Sequence, residues 1–183
     1  MRAPRTPGTA SDRTAARRAL AAEHGWTYTE RDTRALRGWP RTALPPGPLG
    51  RVADEVSGVH RGRAFRLFDY LYGPGPHALV VHSLELPARL PYAYVQDREG
   101  GAHDLYAEAR DRRFALALLD EGVRADIRRT GIADLVVDGA LLISTGGGPA
   151  PGAVLERLDG LVDLVGHIPD EVWSQWGRPS GAQ

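Results

Sequence analysis

The spacing of apolar residues changes along the chain from a helical to an extended period. Near the N-terminus, apolar residues recur at intervals of three and four, which is the spacing of one face of a helix. This pattern predicts a helix that opens at Ser11 or Asp12, continues through His24 and stops at Gly25. From Val52 the interval becomes two, which is the signature of β-strands. The chain therefore begins with a helix and continues into a β-rich region.

The period-two region predicts four strands, near Val52–His60, Arg63–Tyr72, Leu79–Leu86 and Tyr92–Gln96. Only Arg61 and Gly62 separate the first two strands, so we expect those strands to form a hairpin. The second strand is apolar on both faces and should lie in the middle of a covered sheet. The proline-bounded segment Pro87–Pro91 is predicted to separate the last two strands.

The second half of the chain mixes helices with further strands. A strand near His103–Ala109 leads into a helix that Asp111 caps, and a second short helix ends at Gly131. The dipeptide Asp138–Gly139 is a strong turn signal and predicts a hairpin of two short strands. The apolar residues that follow residue 151 repeat at the spacing of an amphipathic helix: Val154, Leu155, Leu158, Leu161, Val162 and Val165.

These elements indicate an α+β fold in which helices pack on a largely antiparallel sheet. With 183 residues, the chain has the length of a single domain. We expect residues 1–10 to be a disordered tail, residues 11–177 to form the domain and residues 178–183 to fray. Residues 37–50 contain four prolines and should form a long surface loop, anchored by its own apolar residues.

Composition excludes several kinds of chemistry. The chain has no Cys, Lys or Asn, which rules out disulfides, thiol nucleophiles, a P-loop lysine and an N-glycosylation sequon. The net charge is zero, although residues 1–66 hold 13 arginines against six acidic residues. We expect the two halves to neutralise each other, so a nucleic-acid partner is disfavoured. Neither a signal peptide nor a membrane-spanning stretch is evident, which predicts a cytoplasmic protein without a membrane partner.

One group of residues could form a ligand or catalytic site. Asp69 alternates with leucines on its strand, and a carboxylate on such a face is either paired, for example with Arg63 or Arg66, or functional. His82 occupies a similar apolar face. The glycine-rich loop between a strand and a helix could bind an anion through its backbone amides: Ser144, Thr145, Gly146, Gly147 and Gly148. No histidine spacing typical of a metal site occurs, and the sequence implies neither a metal nor a cofactor.

A second group of residues has the character of interface anchors. Trp39 and Leu44 lie in the proline-rich loop, and Trp173 and Trp176 lie near the C-terminus. Each could instead pack on the protein's own sheet. Since no catalytic motif is present, we interpret the chain as a non-enzymatic binding module for another protein. The alternative is a protein, or an enzyme, that binds a small molecule or an anion at Asp69, His82 and the glycine-rich loop. The sequence leaves the oligomeric state open.

Several segments resemble a family of actinobacterial proteins of unknown function. The two patterns that carry most of the similarity are F-x-x-F-D-Y at 65–70 and Leu-Pro-x-x-Leu-Pro at 86–91. The similarity covers most of the chain after residue 26. It implies a shared fold and origin, and it transfers no activity or catalytic residue.

Overall fold

The computed structural model describes residues 10–32, 35–75, 77–97, 105–146 and 151–179. These residues form an antiparallel sheet with the strands β1 (Thr27–Asp32), β2 (Arg51–His60), β3 (Arg63–Tyr72), β4 (His77–Asp97), β5 (Leu105–Ala109) and β6 (Asp134–Thr145). The helices are α1 (Ala10–His24), α2 (Arg112–Leu118), α3 (Glu121–Thr130), α4 (Pro151–His167) and α5 (Asp170–Trp176), with a short 3-10 helix at Arg41–Ala43. The predicted α+β class is confirmed.

Strand β4 organises the sheet because it is 21 residues long and pairs on both edges. On one edge its first half pairs with β3 and its second half with β5, while β6 follows the other edge. Strands β3, β2 and β1 continue the sheet outward in that order, with a two-residue turn between β2 and β3 and the long proline-rich segment between β1 and β2. The predicted hairpin at Arg61–Gly62 is confirmed, and β3 lies between β2 and β4 as its two apolar faces indicated.

The prediction of two separate strands around Pro87–Pro91 is wrong, because β4 runs through both prolines. Proline lacks the N–H that a ladder needs, and sheets therefore tolerate it where a strand has an unpaired edge or a bulge. Both conditions hold here. The segment falls in the gap between β3 and β5, and the pairing with β6 shifts its register on either side of Leu90.

The predicted hairpin at Asp138–Gly139 is also wrong. Both residues lie inside the continuous strand β6, and Gly139 pairs with Leu90 at the register shift. The positive φ of Gly139, 58°, is the conformation that the turn signal indicated, but it bends a strand instead of reversing it. Strand β1 was not predicted, since its six residues, TYTERD, carry little apolar character.

Two hydrophobic cores lie on opposite faces of the sheet. The larger core is covered by the helices and includes Leu20 of α1, Phe114 of α2 and Leu158 of α4. The smaller core is covered by the proline-rich loop, whose Trp39 and Leu44 lie over Phe68 of β3 and its neighbours. The loop is therefore anchored by its own apolar side chains, as expected, although Leu49 remains 51% exposed.

Local capping explains where the helices begin and end. The Asp111 carboxylate accepts the backbone N–H groups of Arg113 and Phe114 at the start of α2, which confirms the predicted cap. Gly131 ends α3 in the left-handed conformation. Among the residues that the structure describes, no helix has the length and apolar character to cross a bilayer. Residues 1–9 and 180–183 of the predicted tails lie outside the described residues, and Arg178, assigned to the frayed end, pairs with β4.

Candidate binding cleft

Asp69 is buried and satisfied by an arginine from α1. Arg17 Nη2 donates to Asp69 Oδ1 at 2.6 Å, and its Nη1 donates to the backbone carbonyl of Asp54 at 2.8 Å. Arg13 adds a second ion pair at 3.9 Å. The partner therefore comes from the helix that covers this face, and neither Arg63 nor Arg66 supplies it. Arg17 is only 1% exposed, so the whole group forms a structural tie between α1 and the sheet.

His82 and Ser144 lie opposite each other on β4 and β6, on the same face of the sheet as Asp69. Both side chains are fully buried, and within the described residues neither imidazole nitrogen nor the hydroxyl has a hydrogen-bond partner. Burial, with smaller contributions from the charges of Arg157 and Arg17, lowers the pKa of His82 to about 3. His82 is therefore neutral near pH 7.

The structure thus brings Asp69, His82 and Ser144 onto neighbouring strands without linking them chemically. The Asp69 carboxylate is engaged by Arg17, so it does not orient the imidazole as a catalytic triad requires. Thr145 ends β6, and the backbone N–H of Gly146 donates to Val80. Gly147 and Gly148 lie outside the described residues.

The proposed interface residues divide between core and surface. Trp39 and Leu44 are buried, and the Trp39 ring packs edge-on against Phe68 with 5.2 Å between centroids. Trp173 packs against the larger core and donates its indole N–H to the carbonyl of Ile168. Trp176 is half-buried and lines an open cleft.

This cleft has a volume of about 720 Å³ and lies at the gap in the β4 edge. Three strands line it: β4 through Arg89–Tyr92, β5 through Glu108–Arg110 at its end, and β6 through Asp138–Gly139 at its bend. Thr42 lies beside the bend of β6, and Gln175–Arg178 near the C-terminus complete the lining. Residues more than 130 positions apart in the sequence therefore meet in one concave surface.

The C-terminal end of the described chain closes one side of the cleft. The backbone N–H of Arg89 donates to the carbonyl of Arg178 at 2.8 Å, and the N–H of Arg178 donates back at 2.9 Å. Pro87 and Pro91 flank this pair and have no N–H to extend it. Within the described part of the chain, the gap between β3 and β5 is thus bridged by one pair of residues, Arg89 and Arg178.

The position of Trp176 in the cleft wall is fixed by two contacts. Its indole N–H donates to Asp111 Oδ2 at 3.1 Å, and its ring lies 5.8 Å from that of Phe114. The hydrogen bond from Trp176, followed by those from the backbone of Arg113 and Phe114, lowers the pKa of Asp111. One carboxylate therefore caps α2 and also orients the aromatic wall.

Three arginines converge on the cleft, namely Arg89, Arg110 and Arg178. Among the described residues none of them has a carboxylate partner. Two acids also line the cleft. Asp138 accepts a hydrogen bond from Thr42 at 2.7 Å, and Glu108 is exposed. The cleft therefore has an excess of one positive charge.

Tyr92 adds a hydroxyl to the cleft lining. Burial first, and then the negative charges of Glu108 and Asp138, raise its pKa, so the phenol stays protonated and can donate a hydrogen bond. Sequence reasoning identified Trp176 but missed Arg110 and Arg178. The available signal was the Leu-Pro-x-x-Leu-Pro repeat, whose prolines flank Arg89 and open the sheet edge there.

Fold and site together define an α+β domain with an open, weakly basic cleft. Its described residues contain no group of three or more His, Asp or Glu side chains that could hold a metal ion. No protein-family model and no curated protein matches the chain. Among solved structures, the chain is similar to the mycobacterial trehalose monomycolate transport factor A, TtfA, with a TM-score of 0.64. The two are 14% identical, over 93% of this chain and 98% of that one, so the likeness shows a shared fold.

Proposed function

We propose that this protein is a non-enzymatic binding domain and that the cleft beside Trp176 is its contact site for another protein. The observation that carries this proposal is the convergence of a half-buried tryptophan and three arginines on one open concavity, where the described residues offer these arginines no ion-pair partner. Tryptophan and arginine are the residue types that most often dominate the binding energy of protein interfaces.

The construction of the cleft favours recognition of a partner with little rearrangement. Its residues are held by strand pairing on β4, β5 and β6 and by the indole hydrogen bond of Trp176. A cleft of about 720 Å³ is within the size range of ligand pockets and is large enough for a short peptide segment. Rigid sites bind more tightly because less conformational entropy is lost on association.

The structural neighbour is consistent with a role other than catalysis. That neighbour is a transport factor for trehalose monomycolate. By this likeness we extend the proposal to an accessory role in transport, in which the domain acts by binding. The alternative ligand or enzyme site at Asp69, His82 and Ser144 has weaker support, because the carboxylate is occupied by Arg17 and all three side chains are buried beneath the helices.

The absence of cysteine from the sequence allows a direct test. A single cysteine introduced as Gln175→Cys lies at the cleft rim, where the native side chain donates a hydrogen bond to Glu171 of its own helix. Labelled with a benzophenone maleimide and illuminated in extracts of the native host, it should form a discrete covalent adduct with another polypeptide. Mass spectrometry of the adduct identifies the partner.

The matched control is Val59→Cys at the tip of the β2–β3 hairpin, where the side chain is 61% exposed and lies outside the cleft. We expect no adduct of the same mass from this position. Equal adducts from both positions, or from Val59→Cys alone, would contradict the cleft as the contact site. Native mass spectrometry showing a retained small molecule in place of a polypeptide would favour the alternative.

A further inference from the structure

We infer that the segment of the partner that enters the cleft is acidic and carries an apolar residue next to its carboxylates. This inference rests on the proposed function and names the chemistry of the partner. Its basis is the set of three arginines at the cleft, together with the apolar surface that lies between them.

Arg89 and Arg178 face each other as a like-charged pair across an antiparallel bridge. In a hydrogen-bonded pair of this type the Cα atoms are about 5.5 Å apart, so the two side chains start from neighbouring positions. Like charges placed directly opposite each other destabilise a sheet. The described residues provide no carboxylate that forms an ion pair with either arginine. An anionic group of a partner that reaches both guanidinium groups would form charge-assisted hydrogen bonds with them.

Gly139 lets the Arg89 side chain lie close to the bend of β6. A methyl group added at this glycine would come within 3.1 Å of Arg89 Nη2. The guanidinium group of Arg89 therefore lies beside the bend of β6, and Arg110 at the end of β5 lines the same cleft. The three arginines come from three different parts of this chain, so they favour an extended acidic segment of a partner over a single small anion.

The two acids of the cleft limit how many charges the partner brings. Asp138 is engaged by the Thr42 hydroxyl, and Glu108 is exposed at the rim. With three arginines, they leave one excess positive charge, which matches a few carboxylates better than the evenly spaced phosphates of a nucleic acid. The whole chain is also neutral, which disfavours a polyanion.

An apolar surface lies beside these charges. It is formed by the half-buried Trp176 ring, since Leu90, which also lines the cleft, is only 4% exposed. A leucine or an aromatic residue of the partner could cover this surface while adjacent carboxylates contact the arginines. Aromatic residues and arginine are enriched at the core of protein interfaces and among the residues that dominate their binding energy.

A phage-displayed library of random octapeptides, selected against the intact protein at low salt, tests the inference. We expect the enriched peptides to carry Asp or Glu next to an apolar residue. The enrichment should disappear against the double variant R89Q/R178Q and persist against R128Q, which removes an exposed arginine of α3 outside the cleft. Calorimetry of one enriched peptide should show affinity falling by about tenfold or more in R89Q/R178Q. The affinity of the peptide for the wild-type protein should also fall steeply as salt is added.

Several outcomes would overturn the inference. The first is that the selected peptides are not enriched in Asp or Glu, and the second is that the same peptides are enriched equally against R89Q/R178Q. The third is that the protein binds phosphatidylglycerol vesicles or inorganic phosphate and no peptide. If the Gln175→Cys adduct forms while the arginine substitutions have no effect, the proposed function stands and only the acidic segment is rejected. If the adduct does not form, the proposed function itself is rejected.

Discussion

The fold opposes protonation of His82. Its imidazole is fully buried, and burial together with the charges of Arg157 and Arg17 lowers its pKa to about 3. In the unfolded chain the pKa is about 6.5, so between these values the unfolded state binds a proton that the folded state does not. The stability contribution of neutral His82 is therefore complete above pH 6.5 and is lost as the pH falls toward 3.

We expect His82→Phe to reduce the loss of stability between pH 7 and pH 5. At pH 5 the wild-type protein should have lost about 2 kcal/mol of unfolding free energy through His82 alone. The carboxylates whose pKa values are lowered, such as Asp111 and Asp159, lose their contribution only at lower pH. Urea unfolding at pH 7, 6 and 5 measures the effect, with the exposed His24→Gln as the control. If the free energy of unfolding falls equally steeply with decreasing pH in H82F and in the wild type, this expectation is wrong.

The Arg17–Asp69 pair is the second residue-scale test. Arg17→Met should leave the Asp69 carboxylate buried without its 2.6 Å partner and cost about 3–5 kcal/mol of stability. Replacing both residues by apolar ones, as in R17M/D69L, should recover a large part of that loss because no buried charge is left. Thermal and urea unfolding of R17M, D69L and R17M/D69L measures the coupling between the two residues. Additive losses in the double variant would show that the pair acts independently of its charges.

At the element scale, α4 packs closely on α3 at one glycine and not at another. A methyl group added at Gly160 would meet Thr130 Cγ2 of α3 at 2.6 Å, whereas one added at Gly166 meets no atom within 4 Å. The two helices therefore approach each other at Gly160. The same substitution in the same helix should have opposite effects at these two positions.

We expect Gly160→Ala to destabilise the protein by about 1–3 kcal/mol, because the helices must move apart. Gly166→Ala should be neutral or stabilise it by up to about 1 kcal/mol, because alanine restricts the unfolded chain and favours the helix. Differential scanning calorimetry of the two variants measures both changes. Equal effects would indicate that α3 and α4 are not in close contact at Gly160.

The helices and the β2–β3 hairpin could be predicted because their signals are local. The caps at Asp111 and Gly131 and the turn at Arg61–Gly62 depend on the residues within a few positions. The path of β4 through Pro87 and Pro91 could not be predicted, because proline is tolerated there only through the absence of a neighbouring strand. That absence is a property of the whole sheet.

The same distinction applies to the site. Trp176 stands out in the sequence by residue type, and the structure places it in the cleft wall. Arg178 has no local signal, because its importance comes from pairing with Arg89, 89 positions earlier in the chain. Asp69 could be predicted to be buried from strand alternation, but its partner Arg17 lies on α1 and could not be identified from the strand.

At the scale of the whole molecule, the charge asymmetry of the sequence is partly neutralised within the fold. Arg17 of the arginine-rich first 66 residues pairs with Asp69, and Arg61 at the β2–β3 turn pairs with Asp163 of α4 at 2.7 Å. His60 contacts Asp159 of the same helix at 2.8 Å. These contacts tie the tip of the hairpin to a helix about 100 residues later in the chain, which agrees with the expected neutralisation between the two halves.

We expect Asp159→Asn together with Asp163→Asn to loosen the hairpin tip without unfolding the sheet. The hydrogen bond from His60, followed by the His60 charge and the contact with Arg61, lowers the pKa of Asp159 against the opposing effect of burial. This carboxylate therefore stabilises the fold above its ordinary pKa and loses that effect as the pH falls. Because both carboxylates are partly exposed, the total loss should be only about 0.5–2 kcal/mol. Hydrogen exchange should therefore rise in residues 58–65 and stay unchanged in α1, and 1 M NaCl should reproduce part of the effect in the wild-type protein. Unchanged exchange at the tip in the double variant would mean that the apolar contacts of Trp26 with Phe65 and His60 hold the hairpin without these ion pairs.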